Sequence, residues 1–304
     1  MRILVVGSIN MDLVARVDHL PGPGENVRGE ALQMIAGGKG ANQAVAAARL
    51  GARTTFLGRV GNDLFGRRLA QGLADEGVDT QALGTVDGCP SGAAMILIDA
   101  AGENSIVVTA GANGRLTPDD VAAAAGLIEA ADVVILQLEV PIETVARTIR
   151  LARRAGTPTV VDAGPPRRPI DTAVFEADVL TPNEAEAAAL LDVPPRARRP
   201  EDLARLLLAR GPRAVVVKAG AYGAVVAEDG RVEHVPAFAI EPVDTTAAGD
   251  AFTAALAVSV VQGSDLASAA RRANAAGALA ATRLGAQPSM PTMDDVEAFL
   301  RQQR

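Results

Sequence analysis

The sequence predicts an α/β fold with a mostly parallel central sheet, helices on both of its faces and a small β-sheet lid. Short apolar runs such as residues 3–6 and 133–138 have the composition of buried parallel strands. Most of these runs precede a segment with helical periodicity, and this alternation is typical of parallel sheets. Hairpin-like regions at roughly 12–34 and 91–109 interrupt the alternation, and we assign them to the lid.

The individual elements follow from apolar or β-branched runs for strands and from apolar faces for helices. The predicted strands are 3–6, 13–17, 27–35, 54–60, 91–98, 104–109, 133–138, 158–161, 179–181, 215–217, 224–226 and 232–235. The predicted helices are one that opens at 37–42, then 64–76, 141–154, one from Asn183, 249–262, 266–283 and 293–302. Since no linker or internal repeat divides residues 1–304, we expect a single domain.

The composition excludes several classes of protein. A net charge of −7 and an aromatic content of 2% argue against nucleic-acid binding by a basic surface or by base stacking. The single cysteine excludes an internal disulfide. The longest stretch without a charged residue, 251–264, is too short to span a bilayer. We therefore expect a soluble cytoplasmic protein that binds neither nucleic acid nor membrane.

Polar residues and glycines follow the ends of several predicted strands. They are Asn10 with Asp12, Glu139, Asn183 with Glu186, and Gly220 with Gly223. Ligands of open α/β sheets bind beyond the carboxyl ends of the strands. If the strands are as predicted, these groups converge on one binding site.

Residues 243–252, Val-Asp-Thr-Thr-Ala-Ala-Gly-Asp-Ala-Phe, carry the most specific chemistry. Ala247, Ala248 and Gly249 leave backbone N–H groups open at a helix start, which attracts an anion. We expect Gly249 to supply dihedral angles that other residues resist. Asp250 beside this anion hole suggests a base for a hydroxyl that attacks a phosphate. The alternative is a helix-capping Asp, although capping does not require the small residues before it.

A second glycine-rich stretch, Gly-Gly-Lys-Gly-Ala-Asn at 37–42, opens a predicted helix. It is not a Walker A motif, because Lys39 is followed by glycine and not by Ser or Thr. A simple capping turn and a site for a polyhydroxyl ligand are both compatible with it. Alone, Asn10 and Asp12 are better explained as residues that hydrogen-bond a turn. A set of donors and acceptors suited to sugar hydroxyls arises when they join Lys39, Asn42 and Glu139.

Three further residues have both a structural and a functional interpretation. Asn183 and Glu186 have the spacing of a capping box, and the same spacing places both on one helix face toward a hydrated Mg²⁺. Lys218 is either a solvated lysine or a contact of nucleotide phosphates.

These stretches resemble the ribokinase family of sugar kinases over almost the whole chain. The resemblance is carried by residues 7–12, 37–46, 137–139, 181–184, 244–250, 282–283 and 285–289. It implies a three-layer α/β sandwich and ATP-dependent phosphorylation of D-ribose at O5, with Mg²⁺ and a monovalent cation such as K⁺. It also implies a homodimer formed through the lid.

The resemblance implies roles for individual residues. Asp250 would be the base, and Ala247, Ala248 and Gly249 would form the anion hole. The sugar would be held by Asn10, Asp12, Gly38, Lys39, Asn42 and Glu139. The Mg²⁺–phosphate and nucleotide region would be formed by Asn183, Glu186, Lys218, Gly220, Gly223, Gly249 and Asn274. The monovalent cation would be held, largely by backbone oxygens, at Asp244, Thr246, Ala280, Arg283, Gly285 and Ser289.

Two stretches depart from the family pattern. Asp-Ala-Gly-Pro-Pro at 162–166 stands where an Asn-Pro-Ala-Pro-like run is usual, and Lys-Ala-Gly at 218–220 replaces a Thr- or Lys-Leu-Gly run. Both departures lie on the nucleotide side, so they bear on the phosphate donor more than on the sugar.

The hypothesis that results is an ATP-dependent ribose kinase that produces ribose 5-phosphate and ADP. The same chemistry on deoxyribose, fructose or a nucleoside is the alternative. A non-catalytic sugar-binding regulator is a rival of another class, and the retention of Asp250 speaks against it. A dehydrogenase is disfavoured because the later glycines of a dinucleotide fingerprint are missing after Gly7.

Overall fold

The computed structural model describes residues 1–166 and 170–303, and its strands form two separate sheets. In chain order the strands are β1 (Arg2–Val6), β2 (Asn10–Arg16), β3 (Gln33–Gly37), β4 (Arg53–Gly61), β5 (Leu83–Val86), β6 (Gly92–Ile98), β7 (Asn104–Thr109), β8 (Val133–Gln137), β9 (Thr159–Asp162), β10 (Val179–Leu180), β11 (Ala214–Lys218), β12 (Gly223–Glu228) and β13 (Arg231–Pro236).

The helices alternate with the strands of the main sheet. They are α1 (Lys39–Arg49), α2 (Leu64–Asp75), α3 (Pro118–Ala123), α4 (Ala125–Ala130), α5 (Ile142–Ala155), α6 (Glu184–Leu190), α7 (Pro200–Leu208), α8 (Ala248–Val261), α9 (Leu266–Ala281) and α10 (Met293–Gln302). None of the helices in the described ranges is long and apolar enough to cross a membrane.

The main sheet has the order β13-β12-β11-β10-β9-β8-β1-β4-β5, and it confirms the prediction of a mostly parallel sheet. Only the pairs β11–β12 and β12–β13, at one edge, are antiparallel. Strand β1 shows how the sheet joins two cores. Ile3 and Val5 pack into the core that contains α1, α8 and α9, whereas Leu4 and Val6 pack into the core that contains α5 and α7. Helices therefore cover both faces, as a three-layer sandwich requires.

The small sheet has the order β3-β2-β6-β7 and is built from the two regions that interrupt the alternation. Pairs β2–β3 and β6–β7 are antiparallel, and β2 and β6 are parallel. The strand predicted at 27–35 is wrong in its bounds, because only Gln33–Gly37 pairs with β2. Upstream, Gly29 forms an isolated bridge with Val17, just after β2, and the backbone N of Glu30 donates to Arg16 O at 2.9 Å.

Sequence patterns missed β5 and the helices α3, α4 and α7. Strand β5 is a four-residue strand at the sheet edge, too short to show a period. Both α3 and α7 begin with proline, and the capping box of Thr117 and Asp120 was a usable signal for α3. None of these missed elements carries a residue of the site described below.

Helix α8 is the element that presents the candidate base. It is apolar around nearly its whole circumference, which is typical of a buried helix. Residues 250–259 of α8 are all buried, and the helix packs against α1 and α9. Its first turn therefore has a fixed position at the carboxyl edge of the main sheet.

Candidate active site

Asp250 lies at the centre of the polar residues beyond the carboxyl ends of the parallel strands. It is the third residue of α8, and the N-cap is Ala247, so the capping interpretation of Asp250 is wrong. Its carboxylate instead accepts hydrogen bonds from Asn42 Nδ2 and Gln43 Nε2, both at 2.9 Å. Asp250 is only 4% exposed. Its hydrogen-bond donors are neutral amides, and the nearest ammonium, Lys39 Nζ, lies 3.9 Å away, so burial still favours a basic carboxylate.

The backbone before Asp250 leaves a donor open in the first turn of α8. Ala247, not Gly249, adopts the left-handed conformation, with φ 59°, which corrects the expectation for Gly249. The N–H of Ala248 donates to Thr245 and that of Asp250 donates to Ala247. Within the described residues the N–H of Gly249 has no acceptor. This N–H, at the positive end of α8, can receive an anion.

Helix α1 carries Lys39, Asn42 and Gln43 into the same pocket. Its start lies against the backbone of Ser8, and a Cβ at Gly40 would be 2.7 Å from both the N and the O of Ser8. Gly38 has φ 90°, a conformation that favours glycine. The glycine-rich stretch is therefore needed for close approach of two backbones. Gln43 was not selected from the sequence as a site residue.

Asn10 and Asp12, on β2, face the pocket from the small sheet. Asn10 Oδ1 accepts a hydrogen bond of 2.7 Å from Asn113 Nδ2, and Asn113 also binds the backbone N and O of Ile9. A Cβ at Gly37 would overlap the carboxylate of Asp12. Asn10 is thus held by Asn113, which no sequence motif marked.

Glu139 and the start of α1 are joined directly. Glu139 Oε2 accepts hydrogen bonds from Ser8 Oγ at 2.5 Å and from the backbone N of Lys39 at 3.1 Å. These contacts direct the side chain of Glu139 into the pocket, so it is not a surface residue at the start of a helix. Ser8 is a further residue that motif analysis did not select.

One buried oxygen of the pocket lacks a partner. Asn42 Oδ1 has no hydrogen bond within residues 1–166 and 170–303, although the Nδ2 of the same side chain donates to Asp250. Buried polar atoms are nearly always paired, and leaving one unpaired costs about 1–3 kcal/mol. A ligand hydroxyl that donates to this oxygen would remove the cost.

Two lysines meet at Asp162, the last residue of β9. Lys218 Nζ lies 2.7 Å from Asp162 Oδ1, and Lys39 Nζ lies 3.3 Å from Asp162 Oδ2. The side chain of Lys218 is 11% exposed, so the solvated interpretation of this lysine is wrong. Lys218 Nζ is also 3.7 Å from the position of a Cβ on Gly249. A positive charge therefore lies at the first turn of α8.

Burial and mutual repulsion shift the titration of the carboxylates. Burial, and then the charges of Glu139 and Asp250, raise the pKa of Asp12 to about 7. Burial is the main reason that the pKa values of Glu139 and Asp250 are also raised. Burial alone would lower the pKa of Lys39. The negative charges of Asp162 and Asp250 together have a larger effect, and they raise this pKa. Lys39 is therefore charged at neutral pH.

Asn183 and Glu186 form the capping box of α6. Asn183 Oδ1 accepts from the Glu186 N at 2.8 Å, and Glu186 Oε2 accepts from the Asn183 N at 2.7 Å. The backbone N of Lys218 donates to Pro182 O at 2.8 Å, next to this cap. The capping box of α6 and Lys218 are therefore neighbours in the structure.

The glycines and Asn274 of the predicted nucleotide pocket also lie together. Gly220 and Gly223 flank a short 3-10 turn, with φ 54° and 107°. A Cβ on Gly223 would overlap Val235 O, and Asn274 Nδ2 donates to that same oxygen at 3.1 Å. The amide of Asn274 thus fixes the end of β13 beside the glycine turn.

The two predicted cation loops are joined by Asp244. Its Oδ1 accepts from Thr246 N and its Oδ2 accepts from Gly285 N, each at 2.9 Å. Burial opposes the charge of Asp244, but these hydrogen bonds outweigh it and lower its pKa. Ala280 is buried, Ser289 Oγ donates to Ala286 O at 2.7 Å, and the Arg283 side chain pairs with Asp295. The backbone oxygens around Asp244 are the groups available to a cation.

The chain matches known proteins over nearly its whole length. A family model of pfkB family carbohydrate kinases matches residues 1–293. The ribokinase of Bacillus subtilis (strain 168) is 40% identical over 298 residues, 98% of this chain and 99% of the relative. A deoxyribokinase of Salmonella typhi is 34% identical over 302 residues, 99% of each chain.

Solved structures give the same result. Arabidopsis thaliana ribokinase complexed with ribose and ATP is 34% identical, with a TM-score of 0.90 and coverage of 98% of both chains. Thermotoga maritima ribokinase is 35% identical, with a TM-score of 0.89 and coverage of 98% of this chain and 99% of that one. The predicted ribokinase-like fold is confirmed. Because the family match spans nearly the whole length, this chain belongs to the pfkB family of carbohydrate kinases.

Proposed function

We propose that this enzyme transfers the γ-phosphoryl group of ATP to O5 of D-ribose, giving ribose 5-phosphate and ADP. The observation that carries the proposal is the position of Asp250. Its buried carboxylate lies one residue from the open N–H of Gly249 and is held by Asn42 and Gln43. A base beside an anion hole is what attack of a hydroxyl on a phosphate requires.

In the proposed reaction Asp250 accepts the proton of the 5-hydroxyl as O5 forms its bond to the γ-phosphorus. The bond from that phosphorus to the β–γ bridging oxygen breaks, and ADP leaves with the electron pair. The N–H of Gly249 and the ammonium of Lys218 stabilise the charge on the transferring group. In phosphoryl transfer, positioning and charge stabilisation supply most of the rate enhancement.

Sugar binding is assigned to Asn10, Asp12, Gly38, Lys39, Asn42 and Glu139. Support comes from the convergence of their side chains on one pocket and from the unpaired Asn42 Oδ1. The solved Arabidopsis relative is complexed with ribose and ATP, which supports the same pair of ligands here. The deoxyribokinase relatives make 2-deoxyribose the second candidate substrate.

Mg²⁺ is proposed to accompany ATP on the side of Asn183 and Glu186. In the described part of the chain, no three His, Cys, Asp or Glu side chains form a ready ligand group. Mg²⁺ that arrives with a nucleotide fits this pocket, since it needs only one or two carboxylates besides phosphate oxygens and waters. The pocket has more carboxylates than ammonium groups, and Glu186 is near enough to Lys39 to influence its charge. When bound, Mg²⁺ would neutralise phosphate charge.

The nucleotide is proposed to lie against Gly220, Gly223 and Asn274, with Lys218 and Gly249 toward its phosphates. A monovalent cation, K⁺, is proposed between the two loops that Asp244 joins, with Thr246, Ala280, Arg283, Gly285 and Ser289 as neighbours. The hydrogen bonds of Asp244 to both loops support a common site.

A homodimer through the small sheet and a cytoplasmic location stay predictions. Exposed apolar side chains on the small sheet support an interface there. They are Met34, Met95, Ile106, Val107 and Val108.

A coupled ADP-release assay across ribose, 2-deoxyribose, fructose and a nucleoside tests the substrate. We expect the highest kcat/KM with ribose, because a deoxy sugar leaves a buried polar group unpaired and such groups discriminate strongly. A higher kcat/KM with 2-deoxyribose would move the assignment to a deoxyribokinase. If none of these sugars leads to release of ADP, the proposal is overturned.

A further inference from the structure

Asp162 is a buried carboxylate that contacts groups on both sides of the proposed reaction. It is 0% exposed, at the end of β9. Its Oδ1 accepts from Lys218 Nζ at 2.7 Å, and its Oδ2 accepts from Lys39 Nζ at 3.3 Å and from Gln43 Nε2 at 2.9 Å.

The two lysines held by Asp162 face different reacting groups. Lys39 Nζ is 3.9 Å from Asp250 Oδ1, beyond hydrogen-bond distance, although it could approach more closely if released. Lys218 Nζ is 3.7 Å from the position of a Cβ on Gly249, beside the open N–H of the anion hole. One carboxylate therefore sets the position of an ammonium near the base and of another near the phosphate.

We propose that Asp162 is a positioning residue for phosphoryl transfer. Its carboxylate holds Lys218 at the anion hole, where the ammonium meets the transferring phosphoryl group, and it keeps Lys39 from closing onto the base Asp250. This inference rests on the proposed function and adds a residue to it.

The charge balance supports a role beyond packing. Burial opposes the charge of Asp162, but Lys218 and then Lys39 outweigh it and keep the pKa of this carboxyl low. An ammonium has three donors, and only one of those of Lys218 points at Asp162 in the described residues. The other donors can reach a phosphate while the carboxylate still holds the side chain. An Asn at 162 would accept a hydrogen bond but would leave both lysines without their shared counter-charge.

Gln43 connects this arrangement to the base. Its Nε2 lies 2.9 Å from both Asp162 Oδ2 and Asp250 Oδ1, so the two carboxylates share a donor. Their proximity contributes repulsion that favours protonation of Asp250. Removal of the Asp162 charge should therefore make Asp250 ionise at lower pH, and any approach of Lys39 should shift it in the same direction.

The experiment is a comparison of Asp162→Asn, Lys218→Thr and the double variant in the coupled assay. We expect Asp162→Asn to lower kcat about 10- to 100-fold, less than the roughly 100- to 1,000-fold cost of losing a donor in direct contact with the developing charge, because Asp162 acts through Lys218. The KM for ribose should change less than kcat does, because Asp162 reaches the sugar only through Lys39, whose backbone stays fixed at the start of α1. In the double variant, the loss should be well below the product of the single losses, because Asp162 acts partly through Lys218.

The pH profile is the readout that a purely structural role would not shift. The groups that face Asp250 are Lys39, Asn42, Gln43, Asp12, Glu139 and Asp162. In Asp162→Asn the acidic limb of kcat should move to lower pH. Asp178→Asn is the matched control, because it removes a partly buried carboxylate that accepts from Thr159 at the start of β9, away from the pocket. Its kcat and its acidic limb should match the wild type.

Several outcomes overturn the inference separately from the function. If the wild type is active and Asp162→Asn has the same kcat and the same acidic limb, the role of Asp162 is rejected and the proposed function stands. If the loss of kcat in the double variant equals the product of the two single losses, Asp162 does not act through Lys218. If circular dichroism shows that Asp162→Asn is unfolded, Lys218→Thr decides, and an unchanged kcat in this folded variant rejects the inference. A wild type that phosphorylates no sugar removes the proposed function as well.

Discussion

Gln43 Nε2 donates to Asp250 Oδ1 at 2.9 Å, across 207 residues of sequence. Because Gln43 is fully buried and also accepts from Gln137 Nε2 at 2.6 Å, its amide orientation is fixed from both ends. The candidate base is thus held in place by helix α1, whose first turn also carries the predicted sugar contacts. Sugar binding and base positioning therefore depend on the same helix.

The first prediction concerns the base itself. Asp250→Asn should lower kcat by about two to four orders of magnitude, because a general base contributes a factor of that size. Sugar affinity, measured by isothermal titration calorimetry with ribose, should stay within a few-fold of the wild type. Near-normal turnover in the folded variant would remove Asp250 from the mechanism.

The second prediction tests the close approach at the start of α1. Gly40→Ala should destabilise the protein by about 1–3 kcal/mol, since its Cβ would overlap the backbone of Ser8 and strain of this kind has that cost. It should also lower kcat/KM, because the shift displaces Lys39 and Asn42. Urea denaturation and steady-state kinetics measure the two effects.

Gly72→Ala in α2 is the matched control. A Cβ there meets nothing within 4 Å, so alanine should stabilise the helix by about 0.5–1 kcal/mol and leave the kinetics unchanged. Equal behaviour of the two variants would show that Gly40 is not required for close approach.

Much of this site could be predicted from the sequence, because its residues sit in local motifs. Helix starts and strand ends identified Asp250, Lys39 and Asn42 without any knowledge of tertiary contacts. Gln43 and Asn113 were missed because each acts on partners far away in the chain, and nothing in the residues around them marks that contact. Asp162 was noticed only as a departure from a pattern, since its two lysines are distant in sequence.

The sequence also did not reveal which residue before α8 has a positive φ. Small residues at 247–249 indicated an unusual backbone, and Gly249 was the natural candidate for a positive φ. The structure assigns it to Ala247, at φ 59°, where the loop enters the helix. Which residue takes that conformation depends on how Thr245 and Asp244 are held, and the sequence alone does not reveal those contacts.

The third prediction concerns stability against pH in the ligand-free protein. The pKa of Asp12 is raised to about 7, so the folded state binds its proton more tightly than the unfolded state does. This contribution to stability is fully present below the unfolded pKa near 4 and is lost as pH rises through about 7. Asp12→Asn should abolish that loss.

The measurement is urea denaturation of the wild type and Asp12→Asn at pH 5 and pH 8. From pH 5 to pH 8, the unfolding free energy of the wild type should fall relative to that of Asp12→Asn by about 1–4 kcal/mol, since one pKa unit corresponds to about 1.4 kcal/mol. Glu139 and Asp250, whose pKa values are also raised, are present in both proteins, so the difference reports Asp12 together with its electrostatic coupling to these two carboxylates. A constant difference would mean that Asp12 titrates normally.

The last prediction concerns the monovalent cation. Asp244 holds the loop that leads into the Gly249 turn and, through Gly285, the second loop. A large cation held by backbone oxygens between them would stiffen the turn and pre-organise the Gly249 N–H without touching substrate. K⁺ should therefore raise kcat strongly over Na⁺ or a bulky organic cation at equal ionic strength, and Asp244→Ala should remove most of this difference.

Arg283→Ala is the control: the Arg283 side chain pairs with Asp295, and only its backbone is assigned to the cation, so this variant should keep its response to K⁺. Activity that is indifferent to K⁺ in rigorously cation-free reagents would reduce the role of Asp244 to that of a structural link between two loops.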